Sequence, residues 1–243
     1  MRVALLAGTG IAVAVGLRVA RSRRQRSLHP VGRSMTGELQ IWGCLDPTGS
    51  ELLDHPARHD VTVRISKGAG TRRARPDVRG IAIRIPGPDR PTDLLLSTVG
   101  PGRWGRHLPV PRRTFDATYG SIAPYQAARR LYLAVGPDPE GTPVGDDIEQ
   151  VGRRPADLLL YVVRSGIVQA LGRLRLGEPL SEETDAALAF DPVRNASPDL
   201  QPTGLLHGIR ALAYRASQRW RGATPAPADP HRVAATASGR PAR

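Results

Sequence analysis

The chain has 243 residues, enough for one domain with a sizeable core, and with only 4% aromatic residues it must pack mainly through Leu, Val, Ile and Ala. A formal charge of +13 suggests nucleic acid, but every one of the 35 basic residues except Lys67 is an arginine, and they are spread along the whole chain. With no basic stripe interleaved with aromatic rings for base stacking, the excess reads as the coding bias that also gives 26 Gly and 23 Pro, and no nucleic-acid partner is expected.

Residues 3–17 carry no charge, and Arg18, Arg21, Arg23, Arg24 and Arg26 follow them. A spanning helix needs about 20 apolar residues, so this one is short. A secretory signal places its positive charge before the apolar run, where only Arg2 stands. Arginines after the run would keep the rest of the chain on the cytoplasmic side of the membrane. Residues 1–25 are therefore expected to be an apolar anchor with a basic linker. The alternative is an apolar helix lying on a cytoplasmic domain.

From Met35 onward short alternating or apolar runs are separated by Gly and Pro, the mark of antiparallel β structure. The predicted strands are 36–43, 60–66, 80–85, 93–98, 131–135, 157–163 and 167–176. Residues 101–124 read as a loop rich in Gly, Pro and Arg, and a Ser-x-Glu-Glu start predicts a short helix over 181–188. One long helix is predicted over 203–221, begun after Pro202 and stopped by Gly222 and Pro225. Residues 223–243 have almost no large apolar side chains and are expected to be a disordered tail. The expectation is an α+β domain over 26–222, an antiparallel β-barrel with late helices.

On the predicted last helix Arg210, Tyr214, Ser217 and Arg221 fall on one stripe. A neighbouring guanidinium favours the ionised phenol, and a phenolate is a hard anionic ligand for ferric iron. Arginine forks also pair bidentately with carboxylates. Taken alone, Arg-x-x-x-Tyr is equally an ordinary solvated helix face. A different chemistry is suggested by Asp54-His55-Pro56-Ala57-Arg58-His59-Asp60, which could bind a divalent metal for phosphoester hydrolysis. Pro56 argues against a helix that would align its two histidines. His107, His207 and His231 lack acidic company, and the single Cys44 excludes an intramolecular disulfide and a cysteine-rich metal site.

Three islands in order resemble the catalases. Arg26-Ser27-Leu28-His29-Pro30-Val31-Gly32 followed by Gly37 is similar to their distal haem segment. Val63-Arg64-Ile65-Ser66, Asp77-Val78-Arg79-Gly80-Ile81-Ala82-Ile83 and Asp93-Leu94 are similar to their barrel core. Phe190-Asp191-Pro192, Ser197-Pro198-Asp199 and Arg210-xxx-Tyr214-xxxx-Arg219-x-Arg221 resemble their proximal motif. The resemblance implies a catalase-like barrel holding haem b, with Tyr214 as the iron ligand and Arg210 keeping it ionised. It implies Arg26 and Arg64 at the haem edge, Arg221 as a propionate or tyrosinate partner, Leu28 packed on the porphyrin, and His29 as the acid/base group with Ser66 setting its tautomer. Where catalases carry an asparagine over the iron this chain has Ser97, and the aromatic residues expected next are replaced by Val99-Gly100-Pro101. The chain is also much shorter than a typical catalase. These departures favour a peroxidase or weak catalase using hydrogen peroxide or organic hydroperoxides with a small organic reductant. A homo-oligomer, a dimer, is the expected assembly. A haem carrier or sensor without turnover is the alternative reading of the same pocket.

Overall fold

The structure is a computed structural model and describes residues 31–71 and 75–203. Ten strands order the described residues: β1 (Val31–Ile41), β2 (Ala57–Lys67), β3 (Arg79–Ile85), β4 (Thr92–Thr98), β5 (Tyr119–Gly120), β6 (Tyr125–Gln126), β7 (Arg130–Pro137), β8 (Ala156–Arg164), β9 (Ile167–Pro179) and β10 (Gln201–Pro202). Three short helices lie between them: α1 (Glu51–Asp54), α2 (Gly102–Gly105) and α3 (Glu182–Ala187). Eight strands form a ring in the order β7-β5-β4-β3-β2-β1-β9-β8, which the β7–β8 pairing closes. Every pairing is antiparallel. Closure removes the exposed edges that an open sheet would leave for aggregation.

Strand alternation decides what lies inside. Val63 and Ile65 of β2, Ile81 and Ile83 of β3, Leu94 and Leu96 of β4, and Leu133 and Val135 of β7 share one buried cluster. The intervening residues of each strand face outward. Irregular register between β1 and β9 at Met35/Gly37, and between β8 and β9 at Leu160/Tyr161, supplies the local bends that a small barrel needs. At the β1–β9 crossing Gly172 is obligatory, because a Cβ there would lie 2.4 Å from the Gln40 carbonyl oxygen.

The predicted strands are found, generally longer than the alternation indicated, and the 181–188 expectation is met by α3. Ser181 caps that helix by accepting from the Thr184 amide at 3.2 Å. Within the supposed loop 101–124 lie α2 and the two-residue β5, too short for any period to reveal. The predicted helix over 203–221 and the tail fall outside the described residues, as does the 3–17 run. Among the described residues no helix is long and apolar enough to cross a membrane.

Candidate functional site

The outer face of the barrel carries the candidate site. Strand register places Gly32, Ser66, Gly80, Ser97, Gly120 and Ala134 directly beside one another across β1, β2, β3, β4, β5 and β7. Ser66, Gly80, Ser97, Gly120 and Ala134 lie on the outer face, since their neighbours Ile65, Ile81, Leu96, Tyr119 and Val135 belong to the interior, and Gly32 shares that face as the partner of Ser66. Three glycines, two serines and an alanine in one row make a flat floor, and Ser66, Gly80, Ser97 and Gly120 are buried despite facing outward. At about 4.8 Å per strand, Ser66, Gly80 and Ser97 alone give a shelf about 10 Å wide.

The floor has a rim. A Cβ on Gly32 would lie 2.8 Å from Arg64 Nη2 and 2.7 Å from the Ile65 carbonyl oxygen, so only glycine lets the guanidinium lean in. On the far side the Val99 methyls stand over Gly120, where a Cβ would come within 3.0 Å of Cγ2. Below the floor, Leu95, Leu188 and Phe190 form a second apolar cluster with Ala82 and Leu180. Residues 180–195 thus lie as a strap across the next rows of the outer face.

Asp93 pins the strap. Its side chain is 0% exposed and takes a bidentate pair from Arg84, with Nε at 2.8 Å from Oδ1 and Nη2 at 2.7 Å from Oδ2. Oδ2 also accepts from the Asp191 amide at 2.7 Å and from Asn195 Nδ2 at 2.8 Å. Arg84 returns to the strap through the Ala189 carbonyl at 2.6 Å and lies over the Phe190 ring at 4.9 Å. Asp191 turns the chain by accepting from the Val193 and Arg194 amides at 3.1 and 3.2 Å. The Asp-Leu and Phe-Asp-Pro islands are therefore two halves of one joint.

The sequence-predicted residues divide into two groups. Arg64, Ser66 and Ser97 stand together at the floor, on β2 and β4. Ser66 Oγ donates to the Gly80 carbonyl at 3.3 Å, and Ser97 is 3% exposed opposite Gly80. Arg26, Leu28, His29, Arg210, Tyr214 and Arg221 fall outside the described residues. Arg64 is buried and paired with the Asp185 carboxylate of α3, which also accepts from Ser34 Oγ. Sequence reading missed Asp185, Ser34 and Asn195. Arg84–Asp93 was legible in principle, as the cross-strand pair next to Ile85–Thr92 at the β3–β4 turn.

The other candidates do not assemble. Both Asp54 oxygens are engaged by Thr48 and Gly49 at 2.7–2.8 Å, and His55 is exposed. Burial pushes the His59 imidazole down, and its Nε2 is enclosed without a hydrogen-bond partner. No group of three metal-ligating side chains forms among the described residues. His107 Nδ1 contacts the Ile122 carbonyl at 2.9 Å, a structural bond.

Comparison with known proteins bears on the fold. The chain is similar to a fungal catalase, with 14% identity and a TM-score of 0.62 over 84% of this chain and 62% of that one. Catalase A from Saccharomyces cerevisiae gives 13% identity and the same TM-score over 84% of this chain and 63% of that one. No family profile and no curated protein sequence matches. The chain spans under two thirds of either catalase.

Proposed function

We propose, from the catalase-like barrel fold shared at low identity with fungal catalases, that this chain binds haem b against the outer-face floor and reduces peroxides, as a peroxidase or weak catalase. The observation that carries the reading is the row Gly32-Ser66-Gly80-Ser97-Gly120-Ala134. Small residues in register let a partner lie close to the backbone of the barrel wall. A flat macrocycle needs a surface without protruding side chains, hydroxyls on one face and a cation at its acidic edge. Ser66, Ser97 and Arg64 supply those groups.

Haem bound there would supply a ferric centre at which a peroxide oxygen is taken up. Tyr214 would hold the iron as phenolate, with Arg210 keeping it ionised and Arg221 as a propionate or tyrosinate partner. His29 would take the proton from one peroxide oxygen and return it to the other, since an imidazole near neutrality serves both directions. Ser66 would fix the orientation of that ring through its hydroxyl, and Ser97 would donate a hydrogen bond to the peroxide. Arg26 would join Arg64 at the carboxylate edge, and Leu28 would pack on the ring face. Serine reaches less far than the asparagine of catalases, which favours reduction by a small organic donor over dioxygen release. Attachment to the cytoplasmic side of a membrane through residues 3–17, and a homodimer, belong to the same reading.

The test is oxidation of a phenolic dye by peroxide with hemin-loaded full-length protein. His29→Ala should keep the haem and lose about 10²–10⁴-fold in rate. An unchanged rate would leave a haem carrier rather than an enzyme.

A further inference from the structure

Arg64 is the cation at the edge of the floor, and its side chain is 8% exposed. Burial obliges it to keep an anionic partner. That partner comes from within the chain: Asp185 accepts from both Arg64 and Ser34. The Asp185 side chain is 22% exposed and that of Arg64 8%, so water reaches the carboxylate more readily than the guanidinium. The helix that carries Asp185 is weakly built. It has six residues, none of them buried. So short a helix is marginal without tertiary support. The strap on its far side has the separate, enclosed Asp93 joint with Arg84, Asp191 and Asn195. The first anchor can therefore release without the second.

We infer that Asp185 is an internal stand-in for a ligand carboxylate: it holds Arg64 while the floor is empty and is displaced when a carboxylate-bearing planar ligand binds, freeing α3. The inference rests on the haem reading for the ligand but on the Arg64–Asp185–Ser34 cluster for the device. Two carboxylates cannot share one buried guanidinium without repulsion, so ligand binding and α3 docking oppose each other. The coupling is reciprocal: whatever removes the Asp185 charge tightens the ligand, and the ligand loosens α3. Hydrogen bonds to charged groups are strong enough for an effect of about tenfold or more.

The experiment uses full-length protein, wild type and Asp185→Asn, titrated by absorbance with hemin and with hemin dimethyl ester, which lacks free carboxylates. The latch predicts that Asp185→Asn raises hemin affinity about tenfold and leaves ester affinity unchanged. A structural role for Asp185 would move both ligands alike, and equal shifts, or none, overturn the latch while leaving the haem reading intact. Should the variant fail to fold, hydrogen exchange on wild type decides. The Asp185 and Leu188 amides, bonded to the Ser181 and Thr184 carbonyls at 2.9 and 3.1 Å, should exchange faster once hemin is bound. Unchanged or slower exchange there refutes displacement. Absence of hemin and ester binding in both proteins would overturn the haem reading, and the latch with it.

Discussion

Replacing Asp93 by alanine should be among the most damaging single changes in this barrel. The carboxylate is enclosed and accepts four hydrogen bonds, two from Arg84 and one each from the Asp191 amide and Asn195 Nδ2. Its loss leaves the Arg84 guanidinium, 13% exposed, facing a cavity without its counter-charge. Breaking a buried pair on one side typically costs about 3–5 kcal/mol, because the remaining charge is desolvated and unpaired. For a domain of this size each kcal/mol moves Tm by roughly 2–4 °C, so a fall of about 10 °C is expected. A control is Glu38→Ala, which removes only the exposed Arg58–Glu38 contact at 3.6 Å and should cost well under about 1 kcal/mol. Urea denaturation of both variants, with proteolysis across residues 180–195, reads the difference. If Asp93→Ala lies within about 1 kcal/mol of wild type and the strap stays protected, Asp93 does not hold the strap.

Gly32→Ala should destabilise by about 1–3 kcal/mol, since the new methyl meets the Ile65 carbonyl oxygen at 2.7 Å, and it should displace Arg64 as well; denaturant midpoints check this. Burial alone would raise the Asp54 pKa, but hydrogen bonds from the Thr48 amide and hydroxyl and the Gly49 and Ser50 amides outweigh it and hold the carboxyl below its ordinary value. A depressed folded-state value stabilises above the unfolded pKa of about 4 and is lost as pH falls through the folded one, so wild type should shed stability below about pH 4. Asp54→Asn should flatten that limb of a Tm-against-pH curve, and an unaltered curve would show that the 48–54 turn contributes nothing there.

The barrel strands were legible because each buries one face, and Val63, Ile65, Ile81 and Ile83 print that face as an alternation. Short pieces were not: β5 holds two residues and is recruited by neighbours on both sides. The floor was half legible. Ser66 and Ser97 stood out singly, but their adjacency with Gly80 is a product of register, which no local window contains. The sequence offers Arg64 to a ligand carboxylate, and the structure adds its partner Asp185, 121 residues away. Long-range charge pairing leaves no mark on spacing. The Phe-Asp-Pro island was visible as a motif, and only the fold explains it, as a turn closed by Asp191 and clamped by Asp93 and Arg84.

The central claim is that this barrel holds a haem against its outer face with Tyr214 as the ligand. The most direct measurement is the absorption and electron paramagnetic resonance spectrum of hemin-titrated full-length protein beside its Tyr214→Phe variant. Saturation at one haem per chain with a high-spin ferric signal, lost or sharply altered in the variant, is the predicted result. Failure of wild type to saturate with hemin, or identical spectra from the two proteins, would contradict it.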